Sequence, residues 1–353
     1  MIYAECMEIQ KNVVLAGYTT LGIGGPARYF AEAHTEEEIL YAVEFARTRN
    51  LPLFVLGGGS NLLVADDGFP GLVLHIANRG LQTQTDGQHV IFTAAAGEEW
   101  DNLVATAVAK QCAGIECLSG IPGSVGGTPV QNVGAYGQEV SSTIVRVRAL
   151  DRATLQFVEF DNAGCKFGYR SSLFNTTARQ KFVVTEVTYR LVHGGRPNFS
   201  YKDVTQWFQW KSESPTLATV REAVRSIRHQ KGNLLIAGDP DCRSAGSFFK
   251  NPVISAAHYA WIEEENEDIP HYPAGAGFFK IPAAWLIEQS GFKKGTKLGA
   301  AAVSSRHTLA LINCGGAKAA DILALRDQIR THVATKFRIE LEQEPVYLSG
   351  DSI

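Results

Sequence analysis

The sequence has no run of about 18 apolar residues, no CxxC pair, no HxxxH, no GK[ST] after a glycine-rich turn and no GxSxG. Each absence removes a class of protein. Without the apolar run a membrane span is not expected, and the opening MIYAECMEIQKNVV lacks the basic start and apolar block of a signal peptide, so a cytoplasmic protein is expected. The cysteines Cys6, Cys112, Cys117, Cys165, Cys242 and Cys314 are scattered, which reads as reduced thiols filling cores rather than a disulfide framework or a zinc site. The nine histidines show no metal-ligand spacing, so no metal is expected, and the missing nucleophile elbow argues against a serine hydrolase. Lys plus Arg number 33 against 36 Asp plus Glu, a net charge of −3, so nucleic acid is not expected as a partner.

What is present is ordinary globular material: 353 residues, 45% apolar and 20% charged. At about 100 to 200 residues per domain this suggests two or three domains with cores of their own. Thr35 and Glu38 form a capping box before Ile39, Ala42, Val43 and Ala46, a helix face that stops near Asn50. A short buried strand, Leu53 to Leu56, runs into Gly57-Gly58-Gly59-Ser60-Asn61, and apolar Leu62 to Val64 follows. The theme repeats as a strand over Val90 to Ala95, a helix from about Trp100 to Cys112, and a long glycine-rich stretch from Leu118 to Val140. Strands are predicted at Val145 to Leu150 and Phe182 to Leu191, and a helix over Thr216 to His229 with Val220, Ala223, Val224 and Ile227 on one face. Beyond KGNLLIAGDPDCRSAG, which reads as a boundary, helices are predicted near Pro282 to Ser290 and Ala319 to Thr335, with strands at Thr308 to Asn313 and Arg338 to Leu341.

Several motifs carry possible chemistry, each with a plainer reading beside it. The glycines at 57–59 follow a strand, where successive N–H groups can form an anion nest or merely a tight turn. Further glycine-rich loops at Ser119 to Gly127 and Gly22 to Gly25 favour a long phosphate-containing ligand such as a dinucleotide. Tyr169-Arg170 is either a surface cation–π pair or a clamp for a carboxylate or phosphate. Ser247, between Gly246 and two phenylalanines, is a buried turn or a hydroxyl held in a dry pocket. Alternation puts Glu342 and Glu344 on one face of a strand, either solvated or turned to a site.

Taken in order, TTLGIGGPA, LGGGSNLL, GIPGSVGGTPVQNVGAYG, FGYRSS, AGSFFKNP, IPAAWLIEQSGFKKG and ELEQEPV resemble the UDP-N-acetylenolpyruvoylglucosamine reductase family of bacterial cell-wall synthesis, from about Thr19 to Leu348. The resemblance is to the longer, type I members, in which a tyrosine-bearing loop folds over the site. It implies an α+β fold: a two-part FAD-binding domain of the vanillyl-alcohol-oxidase (PCMH) type plus a C-terminal α+β substrate-binding domain. The FAD-binding region would span 19–194, with subdomains at about 1–85 and 86–230, the substrate domain 231–335, and strands at 336–353 would return to the flavin domains. FAD bound noncovalently would lie on Gly57, Gly58, Gly59, Ser60, Asn61, Gly120, Ile121, Pro122, Gly123, Ser124 and Gly126.

The same resemblance implies the reaction. A flavin reduced by NADPH would deliver hydride to C3 of an enolpyruvyl ether on a UDP-sugar, leaving charge at C2. Arg170 as fixed cation and Glu344 as protonated donor would stabilise that charge, and Ser247 would protonate C2. Tyr169, Tyr201, Lys231, Asn251 and Gln289 would bind substrate, Lys231 at its diphosphate, although the segment after Lys231 is longer here than in compact members. A monomer is expected. Two other readings remain at this level: a PCMH-type oxidoreductase acting on an alcohol, often with tethered flavin, and a flavin-binding module without activity. A yellow protein bleached by NADPH and recoloured by the sugar nucleotide separates them.

Overall fold

The computed structural model describes residues 7–210 and 214–351, so Cys6 and the first six residues of the N-terminal segment lie outside the described chain. The helix Glu36–Thr48 begins where the capping signal places it: the Thr35 side chain accepts from the Glu38 N–H at 3.2 Å. The return arm differs from a capping box, because the Glu38 carboxylate accepts from the His34 N–H at 2.6 Å rather than from Thr35. Ile39, Ala42, Val43 and Ala46 are all buried, and Asn50 turns the chain with φ 52° into the strand Leu53–Leu56. That strand edges a four-stranded sheet ordered Ile9–Val14, Pro26–Ala33, Phe69–Ile76, Leu53–Leu56, antiparallel at the first pairing and parallel at the other two.

The second sheet is antiparallel and ordered Gln156–Asp161, Ile144–Asp151, Phe182–His193, His89–Ala95, Leu81–Asp86. Its buried residues and those of the first sheet share one core, into which Trp100 is sunk with its indole N–H on the Leu118 carbonyl at 3.0 Å. The helix Trp100–Ala109 stops short of Cys112, because Gln111 takes φ 56° and Cys112–Ala113 becomes a short strand on Val192 and His193. The predicted helix at 216–229 is Leu217–Gln230, capped by the Thr216 hydroxyl and packed on the second unit through Val220, Ala223, Val224 and Ile227. Cys112, Cys117, Cys165 and Cys242 are buried free thiols, and Cys314 is partly so.

A third sheet, Ser244–Ser247, Ala310–Asn313, Ala301–Val303, Lys297–Leu298, is covered by the helices Ala283–Gln289 and Ala319–Phe337. A small sheet of Val253–Ser255, Phe278–Lys280 and Tyr272–Pro273 stands beside it. No strand forms over Arg338 to Leu341: Arg338 caps the long helix with φ 53°, and the following chain runs extended to Val346–Leu348, which pairs in parallel with Leu62–Val64. Glu342 and Glu344 accordingly part company. The Glu342 side chain is 70% exposed on Lys250, whereas that of Glu344 is 14% exposed on Arg170.

The third unit is tied to the first through polar groups as well as through Leu21, Ile23 and Leu63, which join its core. The Asp66 carboxylate accepts from the Ala319 and Ala320 N–H groups at 2.7 and 3.1 Å, so a residue of the first unit caps the long helix of the third. Asp66→Ala removes that cap, and we expect a loss of about 1 to 2 kcal/mol in urea unfolding; an unchanged midpoint would show that water satisfies those amides equally well.

Candidate active site

The loop 57–61 and the loop 120–124 lock into each other. A side chain on Gly58 would put its Cβ 2.6 Å from Gly123 Cα, and one on Gly59, where φ is +62°, would put it 1.8 Å from the Tyr18 carbonyl oxygen. The Ser60 hydroxyl donates to the Pro122 carbonyl at 2.9 Å. Among the described residues, the N–H groups of Gly57, Gly58, Gly59, Ser60, Asn61, Ile121, Gly123 and Ser124 have no acceptor. Eight free donors on two interlocked loops make an anion cradle of the kind a dinucleotide's diphosphate requires. Gly120 and Gly126 differ, because their N–H groups are committed to the Asp101 carboxylate at 2.6 Å and the Ala96 carbonyl at 2.8 Å. The loop at Gly22 to Gly25 contributes less than its glycines suggest: the amides of Gly22, Ile23 and Gly25 bond to Thr19, the Thr19 hydroxyl and Ala65.

Ser247 ends its strand on a bulge. Ser244 pairs with Ile312 and Ser247 with Ala310, three residues against two, and Gly246 supplies φ +70° at the extra position. Among the described residues the Ser247 hydroxyl has no hydrogen-bond partner. Next to it the Glu344 N–H donates to the Phe248 carbonyl at 3.0 Å, and the Glu344 carbonyl receives the Asn61 side-chain amide at 3.5 Å. The Glu344 carboxyl lies 3.2 Å from Arg170 Nε. That Nε–H is buried and not aligned on any acceptor, so the contact is coulombic and one guanidinium donor stays unfilled. Arg170 itself sits at φ 52°, with Nη1 on the Gly134 carbonyl at 2.8 Å. Burial pushes the Glu344 carboxyl above the ordinary range, helped by Glu342 and opposed by Arg170 and Lys250.

Of the residues expected to bind substrate, Tyr169 stands beside this pair. The Tyr169 ring lies 5.8 Å from the Arg170 guanidinium and 4.7 Å from Lys280 Nζ. Asn251 uses its side-chain oxygen to accept from the Ala283 N–H at 2.9 Å, which fixes the start of the helix Ala283–Gln289. Gln289, six residues on, is exposed about 9 Å along that helix axis from its start. Tyr201 begins the helix Lys202–Phe208 with its ring edge-on to Tyr136 at 5.5 Å, and Lys231 pairs with Asp203 on that helix at 2.5 Å.

Two further side chains join the site without a sequence signal, since each reads as an isolated polar residue. Arg228 donates to the Gly120 and Asn233 carbonyls at 3.0 and 2.6 Å, which secures the cradle from behind. His307 accepts the Leu309 N–H on Nδ1, and burial together with Lys231 and Lys294 pushes its pKa down to about 4, so it is neutral at physiological pH. The lengthened segment at 232–245 finds its use here. Its Asp239 and Asp241 hold Arg306, which fixes the turn that carries His307.

Comparison with known proteins agrees with this architecture. Residues 239–348 match the family described as UDP-N-acetylenolpyruvoylglucosamine reductase, C-terminal domain, and residues 27–159 match that described as FAD binding domain. The UDP-N-acetylenolpyruvoylglucosamine reductase of Thermobifida fusca is 44% identical over 349 residues, covering 96% of this chain and 97% of its own. That of Pseudomonas fluorescens is 40% identical over 342 residues, covering 96% and 98%. The crystal structure of the Thermus caldophilus enzyme of the same name superposes with a TM-score of 0.67 at 26% identity, covering 97% of this chain and all of the other. With full-length relatives at this level of identity, the chain belongs to the UDP-N-acetylenolpyruvoylglucosamine reductase family.

Proposed function

We propose that this chain reduces the enolpyruvyl ether of UDP-N-acetylenolpyruvoylglucosamine to UDP-N-acetylmuramate, a step of peptidoglycan precursor synthesis, with FAD as cofactor and NADPH as reductant. The observation that carries the reading is the buried Glu344 carboxyl beside Arg170, one backbone hydrogen bond away from the strand end that presents Ser247. No side chain of a protein can donate hydride, and FAD held on the cradle supplies that chemistry when bound. Everything else falls to the chain's own residues. Arg170 is pinned through Gly134 and keeps an unfilled donor, which suits it to a substrate carboxylate on which negative charge develops. Glu344, held toward its neutral form by burial, adds a proton donor to the same carboxylate instead of repelling it. Ser247, free of protein partners and aimed by the bulge, gives its proton to C2.

Tyr169, Tyr201, Lys231 and Asn251 line the approach, and Lys231 meets the substrate diphosphate by exchanging Asp203 for phosphate oxygens. Gln289 rests on its motif alone. The sheet arrangement supports a division into an FAD-binding region at 19–194 with subdomains at about 1–85 and 86–230, a substrate domain at 231–335, and a returning tail at 336–353. A monomer is the proposed working unit. Among the described residues no helix is long and apolar enough to cross a membrane.

A tethered flavin, as in alcohol oxidases of related fold, lacks support. The Cys117 thiol donates to the Asn198 carbonyl and burial pushes it up to about 12, and Cys112 is a strand residue. The flavin should therefore leave with acid or heat; flavin that stays on the denatured, washed chain contradicts the cradle.

Ser247→Ala should leave flavin reduction by NADPH nearly intact and slow reoxidation by the sugar nucleotide by ~10² to 10⁴. Equal slowing of both half-reactions sinks the proton-donor role.

Glu344→Gln keeps a donor and should retain more reoxidation than Glu344→Ala, for which a loss of ~10² to 10³ is expected. The pH dependence follows from the sign of the shift. A folded-state pKa raised above the ordinary carboxylate value of about 4.3 means that the folded protein binds this proton more tightly than the unfolded chain. The ionisation penalty is thus absent below that value and grows as pH rises toward the folded pKa. Glu344→Gln cannot ionise, so its stability relative to the parent should increase over that interval in parallel urea titrations. A constant difference, or reoxidation by Glu344→Ala at the parent rate in stopped flow, removes Glu344 from the mechanism.

A further inference from the structure

Glu116 is completely buried, and among the described residues it has no ion pair. Three neutral donors hold it instead: the Gly114 N–H on Oε2 at 2.8 Å, and the Gln138 side-chain amide and the Asn198 N–H on Oε1 at 2.9 and 2.8 Å. A carboxylate taken wholly out of water is retained at a cost, and an apolar residue of that size would pack there more cheaply. What it joins is therefore informative. Gly114 precedes the turn that enters the cradle, Gln138 belongs to the hairpin whose other strand is Gly134–Ala135, and Asn198 lies three residues before Tyr201.

The arrangement closes on itself. The Gln138 side-chain oxygen accepts from the Cys117 N–H at 2.8 Å, and the Cys117 thiol donates to the Asn198 carbonyl at 2.9 Å. The peptide groups of Asn198 are thus gripped at the N–H by Glu116 and at the C=O by the next residue. Asn198 passes the constraint on, because its side-chain oxygen receives both the N–H and the hydroxyl of Ser200 at 3.1 and 2.9 Å. Tyr201 follows at once, with its ring on Tyr136 of the same hairpin. On the hairpin's other strand, the Gly134 carbonyl receives Arg170. One buried carboxylate thereby sets the distance between the segment bearing Tyr201 and the shelf bearing Arg170.

We infer that Glu116 is a positioning residue that docks the Tyr201 segment against the Arg170 shelf, so that it governs substrate binding through Tyr201 without touching substrate. This rests on the assignment of Tyr201 to substrate made above. Glu116→Gln is the discriminating change. An amide placed with its oxygen toward Asn198 and Gln138 turns an NH₂ on the Gly114 N–H, and the flipped amide turns it on the other two, so one donor always faces another. The variant should raise the KM for the enolpyruvyl UDP-sugar about tenfold, the size of one mispaired buried polar group, with bound flavin and the rate of its reduction at saturating NADPH unchanged. Tyr201→Ala should raise that KM as well, and the double variant should be no worse than Tyr201→Ala alone, because both act at one place. Additive effects, or equal loss of flavin and of both half-reactions, overturn the inference and leave Glu116 as a stability residue. If Glu116→Gln does not fold, Cys117→Ala removes only the thiol bond to Asn198 and should raise the KM about threefold; no change there overturns the inference too. A raised KM in Tyr201→Ala with none in Glu116→Gln rejects the clamp alone. A normal KM in Tyr201→Ala rejects the clamp and the Tyr201 assignment together.

Discussion

The stretch 342–348 is hydrogen-bonded along its length to two different units, and the site exists because of it. Toward the third sheet, the Glu342 carbonyl takes the Lys250 N–H and the Glu344 N–H reaches the Phe248 carbonyl. Toward the first unit, the Val346 N–H donates to Asn61, Val346–Leu348 pairs with Leu62–Val64, and the Leu348 carbonyl takes the Ala65 N–H. The strand end carrying Ser247 and the loop carrying the free amides are thus sewn to one segment. Glu344 sits where the two seams meet. Without that segment the open amides and Ser247 would be related only through the contacts of Leu21, Ile23 and Leu63 and a few side-chain bonds such as those of Asp66 and Thr20.

The polar groups gathered there are held in states that folding alone would not select. Arg170 occupies the left-handed region, its buried Nε–H lacks an aligned acceptor, and Glu344 is desolvated beside it. A relaxed arrangement would turn the guanidinium onto the carboxylate as a two-pronged pair and quench both. The Gly134 carbonyl prevents this by fixing Nη1, and backbone pairing of Glu344 prevents the carboxyl from moving to meet it. Local strain leaves a buried cation with one donor unfilled, as the proposed role of Arg170 requires.

Much of this was legible in the residues, and the failures have physical causes. Thr35 and Thr216 mark helix starts because a hydroxyl that can accept a backbone N–H is a local feature. Gln111 and Arg338 end helices by taking positive φ, which no side chain of theirs advertises. Glycine count alone misjudged the loop at 22–25, whose amides are consumed internally, against the loop at 57–61, whose amides are free; the difference lies in which distant carbonyls come near. Alternation puts Glu342 and Glu344 on one face, flanking the bridge of Gln343 to Phe249, but it does not tell which of the two is solvated and which is buried on Arg170. The ordered motifs pointed to Arg170, Ser247 and Glu344, whereas Arg228 and His307 acquire meaning through distant neighbours, Gly120 for the one and Lys231 for the other.

The shared segment also links the open amides of the loop at 57–61 to the Glu344 carboxyl. Asn61 contributes an open N–H to the cradle, while its carbonyl and side chain hold Val346 and Glu344. A phosphate on the cradle restrains the Asn61 peptide, and through it the segment that presents the Glu344 carboxyl. Under the proposed placement of the cofactor, ordering supplied by such a phosphate would not have to be supplied again, so its binding would lower the cost of holding Glu344 against Phe248 and Arg170. The coupling must run in both directions with equal size. A change that loosens Glu344 from Phe248 weakens the cradle by the same free energy that the cradle lends to Glu344.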